Sequence, residues 1–336
     1  MNTFGQTLRL TTFGESHGKA IGGILDGMPP RIPIDIRHVA ELMAARRPGY
    51  SSRVSKRREG DIVEFLSGLT EGGVTLGTPI GFTIRNLDAH SEEYEELRHK
   101  FRPNHGDYTW QAKYGIRDWR GGGRASARET AARVAAAGIA DHLLVAKGIS
   151  VTAELESIGG MREEFWDTLL KELRRDGESM GGVVSCTIDG VPVGLGEPVF
   201  GKLQAQLAYA MMTIPGVKGF EYGMGFSSAY KCGMDCVDTF TCSEEGEVTT
   251  LTNNSGGIQG GISNGMPINM RVVFKPTPTL GQAVKTIDDT GAATTLKVKG
   301  RHDPCIAVRG TAVVRAMAIL TIADALLTAG HKFWRE

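Results

Sequence analysis

The sequence predicts one domain of mixed α and β class, and three features predict it. Short β-like runs recur between glycines and prolines, four stretches carry helical patterns, and no Pro/Ser-rich linker divides the 336 residues. The β-like runs cover 62–66, 80–84, 149–155, 182–188 and 268–274, all rich in Val, Ile, Thr and Phe. Over 162–175, Phe165, Trp166, Leu169, Leu170 and Leu173 share one helical face. A second helix is expected over 202–214, where Leu203, Leu207, Met211 and Ile214 form a stripe that stops at Pro215. The stretches 126–147 and 311–329 are rich in Ala on nearly all sides, a pattern for helices buried between layers. One lies near the middle of the chain and one near its end, each after a loop bearing glycine or arginine. That placement points to a two-fold internal plan without a repeat in the letters.

Composition narrows the function classes. There are 38 Lys+Arg and 38 Asp+Glu, so the formal net charge is zero, which argues against a dedicated nucleic-acid binder. Glycine is in excess, 45 residues against a typical frequency of roughly 7%. The excess has no Gly-X-Y period and points to tight turns and close backbone approach to a ligand. No early apolar run reads as a signal peptide, and Arg315 and Asp324 interrupt the most apolar stretch, 311–329. The expectation is a cytoplasmic protein with no membrane span. The five cysteines, Cys186, Cys232, Cys236, Cys242 and Cys305, are read as free thiols, and their spacing fits no zinc site.

Charge is concentrated in loops. Between positions 46 and 58 lie Arg46, Arg47, Arg53, Lys56, Arg57 and Arg58, interrupted by Pro48, Gly49, Ser51 and Ser52. A second loop reads Arg117-Asp118-Trp119-Arg120-Gly121-Gly122-Gly123-Arg124-Ala125-Ser126-Ala127-Arg128 and feeds an Ala-rich helix. Free N–H groups at a helix start suit phosphate, and arginines add paired donors for phosphate or carboxylate. A third is Lys299-Gly300-Arg301-His302-Asp303-Pro304. Three such loops in a neutral chain point to a polyanionic small molecule in a pocket. Only Tyr50 offers a stacking platform in the basic stretch, which tells against single-stranded RNA. The P-loop motif is missing, and Gly223-Met224-Gly225 lacks the third glycine of a dinucleotide loop. His17, in Gly14-Glu15-Ser16-His17-Gly18, and His105, in Arg102-Pro103-Asn104-His105-Gly106-Asp107, sit on glycine-bearing turns. Imidazole titrates near neutrality, so both are candidate acids beside a phosphate. His38, His90, His99, His142 and His331 read as structural or surface residues.

Taken together, these motifs resemble the chorismate synthase family from Thr3 to about Leu327. The resemblance also rests on Asp26-Gly27-Met28-Pro29, Arg46-Arg47-Pro48-Gly49, Glu129-Thr130 after Arg128, and Ser255-Gly256-Gly257-Ile258-Gln259-Gly260-Gly261-Ile262-Ser263. Lys275-Pro276-Thr277-Pro278-Thr279 and Gly300-Arg301-His302-Asp303-Pro304-Cys305 complete it. The resemblance implies an α+β fold, a single-domain β-α-β sandwich over 1–336 with buried helices between two antiparallel sheets, assembled as a homotetramer. It implies a lyase of aromatic amino acid biosynthesis, the last step of the shikimate pathway. The reaction is anti-1,4-elimination of phosphate from 5-enolpyruvylshikimate 3-phosphate to chorismate, requiring reduced FMN without net redox change. NADPH as reductant, an intrinsic NADPH-dependent flavin reductase activity, or a separate flavin reductase are the accompanying expectations.

By the same resemblance, His17 protonates the departing phosphate with Ser16 in a relay, and His105 protonates reduced flavin. Asp303 helps remove the substrate proton, with Ser126 as a second relay hydroxyl. Arg47, Arg53, Arg102, Arg128 and Arg301 match substrate-side arginines; Arg46, counted with them, matches a position associated with NADPH in some members. Arg124, Ala125, Ser126, Gly260, Lys275, Pro276, Thr277, Pro278, Thr279 and Arg301 match FMN contacts. No metal is expected. Four positions depart from the family pattern: Asn104 for Gly, Gly106 for Ala, Ala125 for Ser and Arg315 for Glu.

Overall fold

Alternation of apolar and polar residues builds two antiparallel sheets, and small-residue helices fill the space between them. The structure, a computed structural model, describes residues 1–47, 53, 60–87, 91–297 and 303–330. The first sheet runs in the order β1 (Thr3–Phe4), β2 (Arg9–Phe13), β3 (Ala20–Asp26), β5 (Ile80–Arg85), β4 (Val63–Phe65). On β5, Ile80, Phe82 and Ile84 point into the core while Gly81 and Thr83 do not, the period of two that an inward face requires. The second sheet runs β6 (Ser150–Ile158), β7 (Gly182–Asp189), β13 (Ile268–Phe274), β8 (Val217–Tyr222). Here Ile268, Met270, Val272 and Phe274 are buried, and the registers Met270↔Cys186 and Val272↔Val184 place them beside the inward residues of β7. Among the described residues, three hairpins lie outside these sheets: β9 (Phe240–Cys242) with β10 (Val248–Thr250), β11 (Ile258–Gln259) with β12 (Ile262–Ser263), and β14 (Val284–Ile287) with β15 (Ala293–Leu296).

The helical layer holds α1 (Ile36–Arg46), α3 (Thr130–Val145), α5 (Leu203–Met212) and α6 (Ala307–Thr328), with α2 (Asp107–Tyr114) and α4 (Trp166–Asp176) peripheral to it. α3 packs on β2, β3 and β5, α6 packs on β6, β7 and β13, and the two helices pack on each other. Each half therefore covers its sheet with one Ala-rich helix, as the two-fold plan anticipates. The helix over 126–147 starts later than its composition predicts: two 3₁₀ turns at Gly123–Ala125 and Ala127–Glu129 precede α3. Likewise α4 begins at Trp166 after a 3₁₀ turn at Glu163–Phe165, and ends at Gly177 in the left-handed conformation. α6 is long and apolar enough to cross a membrane, yet most of it is buried inside the protein.

Several polar residues in this layer pair across its elements. Asp324 on α6 accepts from the backbone N–H groups of Gln6, Thr7 and Leu8 at 2.8, 2.7 and 2.8 Å. It ties the start of the chain to its last helix. Arg315 reaches Asp141 on α3 at 3.5 Å, and Asp141 also accepts from His38 on α1 at 2.8 Å. The charge change at 315 is thus answered within the chain by an acid that joins α1, α3 and α6. All five cysteines are free, with Cys186 and Cys305 buried.

Candidate active site

The run Gly121, Gly122, Gly123 forms a loop with positive φ at every residue. Its first glycine lies against His17: a Cβ at Gly121 would stand 2.2 Å from the ring Cε1 and 3.0 Å from Ser16 Oγ. Its second lies against His105, where a Cβ at Gly122 would stand 2.9 Å from Cε1 and 3.3 Å from Nε2. Side chains at these two positions would collide with the rings. The glycine run that reads as a phosphate cradle therefore also lets two histidines from distant turns meet one backbone segment.

The two histidines are held differently. Ser16, almost fully buried, lies with its Oγ 3.0 Å from His17 Nδ1 and donates to the Arg120 carbonyl at 3.4 Å. The ring meets Tyr94 edge-on, with centroids 5.0 Å apart. Asn86 fixes this turn by donating to the carbonyls of Glu15 and Gly18 at 3.1 and 2.9 Å.

His105 follows Asn104, whose φ of +58° explains why glycine is common there: Asn is among the few other residues that adopt the left-handed region readily. His105 Nδ1 lies 2.9 Å from Asp107 Oδ1. The same carboxylate accepts from Arg102 three times, at 3.1 Å from N, 2.7 Å from Nε and 2.8 Å from Nη2. Burial opposes the charge on Asp107, but hydrogen bonds from Arg102 and His105 outweigh it and hold the acid far below the usual carboxylate range. An ionised carboxylate only accepts, so Nδ1 is the protonated nitrogen. Burial also lowers His105 below the ordinary imidazole value, with Arg102 and Lys275 adding to the effect and Asp107 partly offsetting it.

Further links gather the other motifs. Lys275 Nζ donates to the Asn104 carbonyl, and Thr277 Oγ1 donates to the Asp303 carbonyl at 3.0 Å. The segment Lys275, Pro276, Thr277, Pro278, Thr279 is thereby attached both to the His105 turn and to Asp303. Arg309 joins Asp303 Oδ2 at 2.7 Å and the Arg46 carbonyl at 3.2 Å. Arg46 is itself sunk in the core, where it donates to Asp61 at 2.8 Å, and Arg128 pairs with the other oxygen of Asp61. Burial pulls Arg46 down to about 10, while for Asp61 the two arginines overcome burial and keep the acid ionised. Arg128 also donates to Asn86 Oδ1 at 2.9 Å, which connects it to the His17 turn. Ser126 caps the second 3₁₀ turn by accepting from the Arg128 N–H at 3.4 Å, and Arg124 donates to Thr12 at 2.7 Å.

Other expected residues stand on separate elements. Arg53 is held by α4 and the 3₁₀ turn before it, donating to Asp167 and Glu163 at 2.8 and 3.0 Å and lying over the Trp166 ring. Arg47 is exposed at the end of α1. Gly260 tips the β11–β12 hairpin, which is anchored on α5 by the Leu203 N–H donating to the Gly261 carbonyl at 2.9 Å. Arg301 lies outside the described residues, as do Lys56, Arg57, Arg58 and His302. Residues Gly122, Gly123, Arg124 and Ala125 also line a cavity of about 710 Å³ that carries Trp110 and Trp119. Sequence reasoning missed Asp61, Asn86, Asp107 and Arg309. Asp107 stands two residues after His105, within a quoted motif, and that spacing was the available signal.

Two imidazoles on one glycine loop, with guanidinium groups sunk around them, are the arrangement that acid–base chemistry on an anion requires. Known proteins narrow that class. The family model for chorismate synthase matches residues 8–327. The chain is 47% identical to the chorismate synthase of Synechocystis sp. over 97% of both chains, and 47% identical to that of Cytophaga hutchinsonii over 96% of both. A crystal structure of chorismate synthase superposes with a TM-score of 0.77 at 30% identity, covering 97% of this chain and 93% of the other. The chain belongs to the chorismate synthase family and is a carbon–oxygen lyase.

Proposed function

We propose that this chain eliminates phosphate from 5-enolpyruvylshikimate 3-phosphate in the anti-1,4 sense to give chorismate, with reduced FMN present and unchanged overall. The observation that carries the reading is the placement of His17 and His105 against consecutive glycines of one loop. A leaving phosphate gains negative charge as its bond to carbon breaks, and fixed guanidinium groups stabilise that charge without reorganising. Arg102 and Arg128 are already immobilised by Asp107 and Asp61, and Arg47, Arg53 and Arg301 complete the substrate-side set. His17 protonates the phosphate oxygen, with Ser16 as its relay. His105 exchanges a proton with the cofactor. Asp303, held by Arg309, draws the substrate proton, with Ser126 as the second hydroxyl.

The residues fit FMN. Lys275 is a half-buried cation whose pKa burial lowers, Gly260 has open space where a side chain would stand, and Arg124 adds a second cation. Together with Ala125, Ser126, Pro276, Thr277, Pro278, Thr279 and Arg301 they hold the group. When bound, reduced flavin supplies electron density as phosphate leaves. Arg46 is buried against Asp61, which favours a separate flavin reductase over direct use of NADPH. Phe200, Phe226, Tyr230 and Met234 are strongly exposed apolar side chains that favour a homotetramer, here assigned to the cytoplasm.

The test is anaerobic: substrate plus pre-reduced FMN, without pyridine nucleotide. Chorismate and phosphate are expected in equal amounts with the flavin still reduced. Flavin consumed in proportion to product contradicts the proposal.

A further inference from the structure

Asp107 is a buried carboxylate without a role in the elimination itself, yet it is the best-connected acid beside the glycine loop. Its Oδ2 receives the Arg102 N–H and Nε–H, and its Oδ1 receives Arg102 Nη2 and His105 Nδ1. Arg117, nearly fully buried, stands 3.9 Å from the same carboxylate and anchors the carbonyls of Leu97, Arg98 and Lys100 on the approach to Arg102. Every donor aimed at Asp107 comes from a residue that cannot accept in return, except His105. The tautomer of His105 is therefore the one variable in the arrangement.

We infer that Asp107 is a positioning residue that fixes His105 as the Nδ1–H tautomer, leaving Nε2 bare beside Gly122, and couples this choice to the seating of Arg102. The inference rests on the assignment of His105 as the proton-exchanging group, and it says which nitrogen exchanges. A neighbouring carboxylate commonly selects the tautomer of a working imidazole in this way. Among the described residues, the charged groups facing His105 are Asp107 and Arg102 from its own turn and Lys275 from the segment packed against it.

Asp107→Asn separates this from mere packing. An Asn side chain offers one acceptor, and the Oδ2 position, with two Arg102 donors, demands it. The amide NH₂ then occupies the Oδ1 position, where it loses the Arg102 Nη2 bond and donates to His105 Nδ1, forcing the proton onto Nε2. In the full-length protein labelled with ¹⁵N-histidine, the His105 signals are assigned by their loss in His105→Ala. At pH 8 the wild type is expected to show a protonated Nδ1 and a bare Nε2, and Asp107→Asn the reverse. In the phosphate-release assay, Asp107→Asn is expected to lower kcat about 10–100-fold, the range for outer partners of a working histidine. Loss of the carboxylate also removes what raises His105, so the limb of the kcat profile that reports His105 moves to lower pH.

A wild-type protein with the proton on Nε2 overturns the inference, whether or not the variant folds. So does a variant with wild-type kcat and pH profile. A wild type that shows the expected tautomer but releases no phosphate sinks the proposed reaction and leaves the tautomer assignment standing.

Discussion

His17 and His105 touch neighbouring residues of one loop, yet one leans on a neutral hydroxyl and the other on a buried carboxylate. Ser16 offers His17 a hydrogen bond and no charge. Asp107 offers His105 a full negative charge that is itself locked by Arg102. The difference teaches that backbone placement and protonation are set separately. The glycine loop brings the rings together, and each ring's own turn decides what its nitrogens do.

The largest effects should come from removing either ring. His17→Ala and His105→Ala are each expected to lower turnover by about 10²–10⁴-fold, the range for losing a positioned acid or base. Thermal melts should show both variants folded, and wild-type turnover in either would remove that ring from the chemistry. Alanine in the loop comes next. A methyl at Gly121 meets its histidine at 2.2 Å and one at Gly122 at 2.9 Å, so Gly121→Ala should be the more damaging. A displacement of about 1 Å at a catalytic group costs about 10²-fold, and steady-state kinetics of the two variants would show whether the order holds. Ser16→Ala removes only a neutral hydrogen bond, worth about 0.5–1.5 kcal/mol, so its effect on kcat should be tenfold or less. A loss as large as that of His17→Ala would contradict the contrast between the two turns.

Stability against pH sharpens the same contrast. Burial depresses the folded pKa of His105 below its ordinary value near 6.5, so the unfolded chain binds the proton first. Its stabilising contribution is complete above that pH and declines as pH falls through it. Asp61 and Asp107 are also depressed in the folded state, so theirs is complete above about pH 4 and declines as the solution becomes more acidic. Chemical denaturation across pH 3–8 should show two separate losses, and His105→Ala should abolish the upper one and weaken the lower, because His105 helps hold Asp107 down.

The sequence made β4 to β7 and β13, the Ala-rich helices and the glycine loop legible, because each has a one-dimensional signature. Ile268, Met270, Val272 and Phe274 alternate, and α3 and α6 are small-residue runs. α1 was not legible. Its inward stripe is Val39, Leu42, Met43 and Arg46, and an arginine stands where a core residue is expected because Asp61 meets it there. β2 and β3 were missed for a similar reason: short runs broken by Thr12, Gly22 and Gly23 carry little apolar signal. At the site, the histidines and arginines were visible as motifs, but their acidic partners were not. Asp61 and Asp107 matter through charges that arrive from elsewhere in the chain, and only folding brings those together.

The most direct measurement is a crystal structure with substrate and FMN bound. The substrate phosphate is expected within hydrogen-bonding reach of His17, with Arg128 on the same molecule and His105 beside the flavin. A substrate seated away from the glycine loop, with neither histidine in reach, would contradict this arrangement.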